Sequence, residues 1–205
     1  MGQERGWALS SVEVGLILSL PPLILSSGVA EHALRQFWLR ALAAQAITPG
    51  CDPRRFGSVL TEFYRQQLER YLMVLAGTSA MVYVVFQLAL SSGLLASWLR
   101  LSSLDTTRFF FYISLIIYGL LGWGQFNSAF CVTLGRPTLA LRAVILGIGI
   151  VIVTGVPLSL GLNFTYAALA FIAGAITFVA ASSRTVKKVL ESAEYYTFRH
   201  PSTTT

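Results

Sequence analysis

Charge is scarce in this sequence of 205 residues, and it is distributed unevenly along the chain. Asp, Glu, Lys and Arg make up 12% of the residues, whereas soluble domains average about 25%. Five stretches contain none of the four: residues 14–30, 71–90, 109–130, 143–160 and 164–181. This distribution argues against a water-soluble domain and indicates a protein whose solvent is a lipid bilayer.

The lengths of the five runs select the kind of spanning structure. A hydrocarbon core about 30 Å thick takes about 20 apolar residues in a helix. Barrel strands would alternate in polarity over about 10 residues, whereas these runs are continuously apolar. We therefore predict an all-α, polytopic transmembrane helix bundle of about five spans, forming a single membrane domain over residues 1–205.

Cysteine and histidine are equally sparse, with two of each, and they are far apart in sequence: Cys51, Cys131, His32 and His200. Neither type shows the spacing of a metal site or a disulfide framework. The chain also lacks paired intramembrane carboxylates and the HExxH, GxSxG and P-loop motifs. The sequence thus predicts no enzyme activity, no cofactor and no metal.

The basic residues predict the orientation. Twelve of the 15 fall on one side of the membrane: Arg35, Arg40, Arg54, Arg55, Arg65, Arg70, Arg136, Arg142, Arg184, Lys187, Lys188 and Arg199. Short loops rich in Lys and Arg stay in the cytoplasm. We expect the N-terminus outside and the C-terminus inside, with a cytoplasmic loop at 31–70 and a cytoplasmic tail at 182–205. The same topology accounts for the net charge of +6 without a nucleic-acid partner.

The long loop shows apolar residues at helical spacing on both sides of a turn from Pro49 to Pro53. This pattern predicts two amphipathic helices, the second carrying an Arg65–Glu69 pair at i,i+4. Basic and aromatic residues suit the headgroup zone of a membrane. The residues predicted to contact the membrane surface or a partner are Trp38, Phe56, Leu60, Phe63 and Arg65. A connector lying on lipid and a docking surface for a cytoplasmic protein both remain open.

Polar but uncharged side chains occur within the spans. They include Thr78, Ser79, Tyr83, Gln87, Tyr112, Ser114, Tyr118, Gln125, Asn127, Ser128 and Thr177. Hydrogen bonding between helices is one explanation for each of them. The other is a polar path for a hydroxyl-rich solute, for which Tyr118, Trp123, Gln125 and Asn127 are the candidates, because aromatic rings stack on sugars and amides bond hydroxyls.

Two further features predict how the spans pack. Pro21 and Pro22 remove two helical donors at mid-depth of the first span and should kink or break it. Glycines 119, 122, 124, 147 and 149 should permit close backbone approach. The short link between the last two spans predicts an antiparallel hairpin.

The tail carries a resemblance to a known family. Val186-Lys187-Lys188-Val189-Leu190-Glu191 leads to Glu194-Tyr195-Tyr196-Thr197-Phe198 and closes with Arg199-His200-Pro201, and Phe63-Tyr64-Arg65 precedes Glu69-Arg70-Tyr71-Leu72. These segments resemble the PelG-type exopolysaccharide transporters of the polysaccharide flippase superfamily. The resemblance implies a twelve-span protein with both termini in the cytoplasm, of which the five spans here correspond to spans eight to twelve.

The function implied by the resemblance is part of an exopolysaccharide (Pel-like) exporter in the bacterial inner membrane, helping to translocate a sugar polymer. The alternative is a non-transporting scaffold subunit or truncated relic that docks cytoplasmic polysaccharide-synthesis proteins. Five helices cannot readily enclose a path for a polymer. Besides membrane lipid, we therefore expect a companion chain or an oligomer that supplies the missing helices.

Overall fold

The fold is an all-α helical bundle. A computed structural model describes residues 11–47, 53–93, 104–161 and 164–197, and within those ranges every regular element is a helix. The helices are α1 (Ser11–Leu18), α2 (Pro21–Ile47), α3 (Pro53–Ser91), α4 (Leu104–Thr133), α5 (Pro137–Gly161) and α6 (Phe164–Thr197). Five segments are long and apolar enough to cross a membrane: Ser11–Arg40, Gly57–Ser91, Leu104–Thr133, Pro137–Gly161 and Ala168–Glu191. The predicted fold class is confirmed.

The first span is broken where the prolines predicted it. α1 ends at Leu18, α2 begins at Pro21, and a single turn joins them through the Leu20 amide, which donates to the Ile17 carbonyl at 3.2 Å. Proline is favoured at the first positions of a helix, where the missing N–H has no intrahelical role. The Leu18 carbonyl nevertheless loses both of its helical donors, because the residues three and four positions ahead are Pro21 and Pro22.

The long polar loop is helical, but its helices are not separate from the spans. Its first half is the end of α2, and its second half is the start of α3, a helix of 39 residues. No proline interrupts residues 23–47 or 54–91, so the backbone hydrogen-bond ladder continues past the apolar runs. Both halves of the predicted amphipathic loop are thus helical, and each is continuous with a span. Residues 48–52, which include most of the predicted turn from Pro49 to Pro53, lie outside the described residues.

The stretch of α2 with Arg40, the turn between α4 and α5 with Arg136, and the stretch of α6 with Lys187 lie at one end of the bundle, which we call the basic end. Its core joins α2, α3, α4 and α6 through Phe37, Phe63, Phe130, Val186 and Leu190. The Phe37 ring lies 5.9 Å from that of Phe63 and 4.9 Å from that of Phe130. Most of this core lies beyond the predicted apolar runs, where water is the solvent and apolar burial drives association. Within lipid that driving force is absent.

Inside the apolar runs, glycine allows the helices to approach closely. A Cβ added at Gly147 of α5 would lie 3.0 Å from Phe178 Cβ and 3.2 Å from the Gly174 carbonyl oxygen, both on α6. Gly155 similarly faces Ala170 of α6 at 3.3 Å. Contact positions thus advance along α5 as they recede along α6, which confirms the predicted antiparallel hairpin.

In α4 the glycines behave in different ways. A Cβ added at Gly122 would lie 2.8 Å from the Tyr71 hydroxyl, and one added at Gly124 would collide with the Phe178 ring, as close approach requires. An added Cβ would meet nothing within 4 Å at Gly119, or at Gly149 of α5. The predicted packing role is confirmed for Gly122, Gly124 and Gly147 and is wrong for Gly119 and Gly149.

Candidate functional site

The four residues predicted to line a solute path all lie on α4, but on two different faces. A helix turns about 100° per residue. Tyr118 and Gln125 therefore project within about 20° of each other, and Trp123 and Asn127 project to the opposite side. Gln125 is exposed, whereas Asn127 is completely buried. The structure does not bring these four side chains together into one groove.

Asn127 forms a hydrogen-bonded hub that joins three helices. The Tyr64 hydroxyl of α3 donates to Asn127 Oδ1 at 2.6 Å. Asn127 Nδ2 donates to the Oγ atoms of Ser183 at 2.9 Å and Ser182 at 3.4 Å, both on α6. With its acceptor and its donors engaged, this amide has little capacity left for a solute. The interhelical explanation for Asn127 is confirmed.

Two further polar contacts tie α3 to its neighbours. Toward the basic end, the Tyr71 hydroxyl donates to Ser26 Oγ of α2 at 3.2 Å, and its ring stacks on Phe126 at 4.5 Å. At the other end of α3, Gln87 Nε2 donates to the Tyr112 hydroxyl of α4 at 2.7 Å. The sequence shows which of these residues are aromatic or polar and which lie on one face of a helix. It does not show which residue contacts which, because the partners are far apart in sequence and only the fold brings them together.

Other hydroxyls in the spans bond within their own helix. Thr78 donates to the Val74 carbonyl at 2.8 Å, and Thr177 donates to the Ala173 carbonyl at 2.9 Å. Such bonds satisfy a hydroxyl in lipid without linking helices. Interhelical bonding was the wrong explanation for these two residues.

A few buried polar atoms of α4 have no hydrogen-bond partner in the structure. They are Ser114 Oγ, Trp123 Nε1 and Ser128 Oγ. Buried polar groups normally form hydrogen bonds. These three atoms of α4 could therefore form hydrogen bonds that the described helices do not provide. Among the residues predicted to line a solute path, Trp123 has an unbonded buried nitrogen, whereas the Asn127 amide is bonded.

The residues predicted to contact a membrane surface or a partner divide in a similar way. Leu60 and Phe63 are 3% and 5% exposed and belong to the core of the basic end, so the surface prediction is wrong for both. They are buried because α2 and α6 pack against this face of α3. Trp38 is exposed, and Arg65 is exposed and bonded to Glu69 at 3.0 Å, as its i,i+4 spacing predicted. The side chain of Phe56 lies outside those described.

An open groove of about 510 Å³ lies beside this core, between α2 and α3. The Arg40 guanidinium covers the Phe63 ring at 4.6 Å, and Gln66 Nε2 donates to Glu62 at 3.2 Å on the same side. The groove has an apolar floor, and its rim carries charges of both signs from Arg40 and Glu62. Such a surface suits an amphipathic ligand such as a polypeptide segment.

Metal-binding chemistry has no support in the described part of the chain. Over residues 11–47, 53–93, 104–161 and 164–197, no three His, Cys, Asp or Glu side chains lie together. Cys131 is buried and free. Cys51 and His200 lie outside the described residues.

No family model, no curated protein and no solved structure matches this chain. The resemblance to exopolysaccharide transporters therefore stays a prediction that depends on the tail and loop motifs. What the structure establishes is the class: an all-α bundle with five helices long and apolar enough to cross a membrane.

Proposed function

We propose that the chain is a membrane subunit of an exopolysaccharide exporter in the bacterial inner membrane, acting with helices that other chains supply. The observation that carries this proposal is that the buried Asn127 amide bonds to neighbouring helices. A path through the five spans would need free polar groups from several helices, yet the Asn127 amide is consumed by bonds among α3, α4 and α6, and the unbonded buried atoms Ser114 Oγ, Trp123 Nε1 and Ser128 Oγ all belong to α4. The route for a polymer then lies between this bundle and another.

The charge distribution supports the proposed location and orientation. Arg40, Arg136 and Lys187 lie at one end of the bundle, and positive charge is retained on the cytoplasmic side of bacterial membranes. The basic end would then be cytoplasmic, with the packed extensions of α2, α3 and α6 facing the compartment where the polymer is made. The N-terminus would be outside.

The groove between α2 and α3 favours a second candidate function. A scaffold that docks cytoplasmic polysaccharide-synthesis proteins needs a concave, partly apolar surface on that side, and the groove near Arg40 and Phe63 has this character. In this alternative the chain holds the synthesis machinery at the membrane and does not contribute to the route.

Deletion of the gene distinguishes the two functions. Loss of an exporter subunit should abolish extracellular polymer while the synthase proteins remain at the membrane. Loss of a scaffold should release those proteins from the membrane fraction. Normal extracellular polymer and normal synthase localisation in the deletion strain would reject both proposals.

Orientation has its own test in cysteine labelling of intact cells. A cysteine at Ser202 should be shielded from a membrane-impermeant maleimide, and one at Ser103 should react. The reverse pattern would overturn the orientation and the correspondence with spans eight to twelve.

A further inference from the structure

One amide in the structure lies on a membrane-spanning helix, exposed and without a hydrogen bond. Gln125 of α4 is exposed, and no described residue bonds to it. It lies five positions inside the end of the apolar run at 130, which places it about 8 Å along the helix axis from that limit. Its surroundings in a membrane are therefore hydrocarbon.

Hydrocarbon cannot satisfy this amide. An unpaired amide in an apolar medium costs several kcal/mol by transfer measurements, and lipid offers no donor or acceptor. The exposed face of α5 has no such need for a hydrogen-bonding partner, because lipid can solvate aliphatic side chains. Its exposed side chains include Ile145, Ile148, Ile152 and Val153. The α4 face with Gln125 needs a hydrogen-bonding occupant.

We propose that a second copy of this chain packs on the α4 face formed by Gln125, Leu121 and Val132, with the two Gln125 amides bonded to each other. A carboxamide has both an acceptor oxygen and N–H donors, so two of them can bond reciprocally. Two copies inserted in the same direction and related by a two-fold axis along the membrane normal place Gln125 at the same depth. The Gln125 amide of one copy is thus complementary to the Gln125 amide of the other.

The neighbours on this face are suited to helix contact. Val132 lies seven positions after Gln125, about 20° away around the helix, and is 53% exposed. Leu121 lies one turn before Gln125 and is half-buried. Apolar side chains on both sides of the amides would exclude lipid headgroups and water from the paired bonds.

Cross-linking in native membranes tests the pairing while keeping Gln125 in place. In a chain carrying Cys51→Ser and Cys131→Ala, Val132→Cys should form a disulfide-linked dimer on oxidation. Ile116→Cys provides the matched control: Ile116 is 54% exposed on the opposite face of the same helix, so its cysteines should be too far apart in the dimer to form a disulfide.

Removing the amide then tests its role. Gln125→Leu in the Val132→Cys chain should weaken dimerisation, measured by energy transfer between labelled copies in liposomes, by roughly tenfold, as expected for two interhelical bonds. Gln125→Asn should retain most of the pairing. Thermal unfolding of each variant checks that the bundle still folds.

Three results would overturn the proposal. The first is no dimer from Val132→Cys, and the second is dimerisation that Gln125→Leu leaves unchanged. The third is an adduct of Val132→Cys with a different polypeptide, which would assign this face to a companion chain. None of these bears on the polymer deletion phenotype, so the proposed function would fail or survive separately.

Discussion

The hub at Asn127 gives the sharpest prediction about what holds the bundle together. Asn127→Ala removes the acceptor of the Tyr64 hydroxyl and the donor to Ser183 in one change. Because Asn127 is fully buried, water cannot replace either partner. The substitution should loosen α3 and α6 from α4 together, since all three meet at this side chain.

The expected loss follows from the bonds and the groups left behind. Interhelical hydrogen bonds in membrane proteins contribute about 0.6 kcal/mol each on average. A buried hydroxyl left without a partner adds a penalty of about 1 to 3 kcal/mol. Asn127→Ala should therefore lower the free energy of unfolding by roughly 2 to 4 kcal/mol, with Tyr64→Phe costing less because it removes one hydrogen bond and leaves only the Asn127 Oδ1 acceptor unpaired, while the bonds from Nδ2 remain.

The assay is unfolding of the detergent-solubilised chain by increasing SDS, followed by tryptophan fluorescence because Trp123 lies one turn before Asn127 on α4. Ile116→Ala is the control, since it truncates a side chain that is 54% exposed on the same helix and away from the proposed dimer contact, and it should change the stability by less than about 0.5 kcal/mol. The double variant Tyr64→Phe/Asn127→Ala should show coupling, because the two residues are in contact. Equal stability of Asn127→Ala and Ile116→Ala would refute the reasoning.

The same unfolding assay tests two other contacts. Gly122→Ala should destabilise the bundle because its Cβ would lie 2.8 Å from the Tyr71 hydroxyl, whereas Gly119→Ala meets nothing within 4 Å and should be neutral or stabilising by up to about 1 kcal/mol; the opposite order would contradict the packing described. Phe63→Ser should cost about 3 kcal/mol or more as a buried aromatic truncation, whereas Val59→Ser, one turn earlier and 49% exposed, should cost little. Similar losses for both would indicate that this face of α3 is not a core.

The sequence by itself determined the helices. Five continuously apolar runs of this length cross a bilayer as helices, because barrel strands would alternate in polarity, and Pro21–Pro22 break the first of them because proline has no N–H to continue the ladder. The i,i+4 pair of Arg65 and Glu69 was equally predictable, since both partners lie on one helix. These properties depend on residues close in sequence, which is why they can be derived from sequence alone.

Only the tertiary structure decided what the polar and aromatic side chains face. Gln125 and Asn127 are two positions apart on one helix, yet one faces outward and the other bonds Tyr64 and Ser183 from distant parts of the chain. Phe63 was predicted at a surface and lies in a core, because amphipathic periodicity identifies an apolar face but not what covers it. Burial depends on which helices become neighbours, and in lipid that choice is made by small residues and polar contacts between helices, whose partners the sequence does not identify.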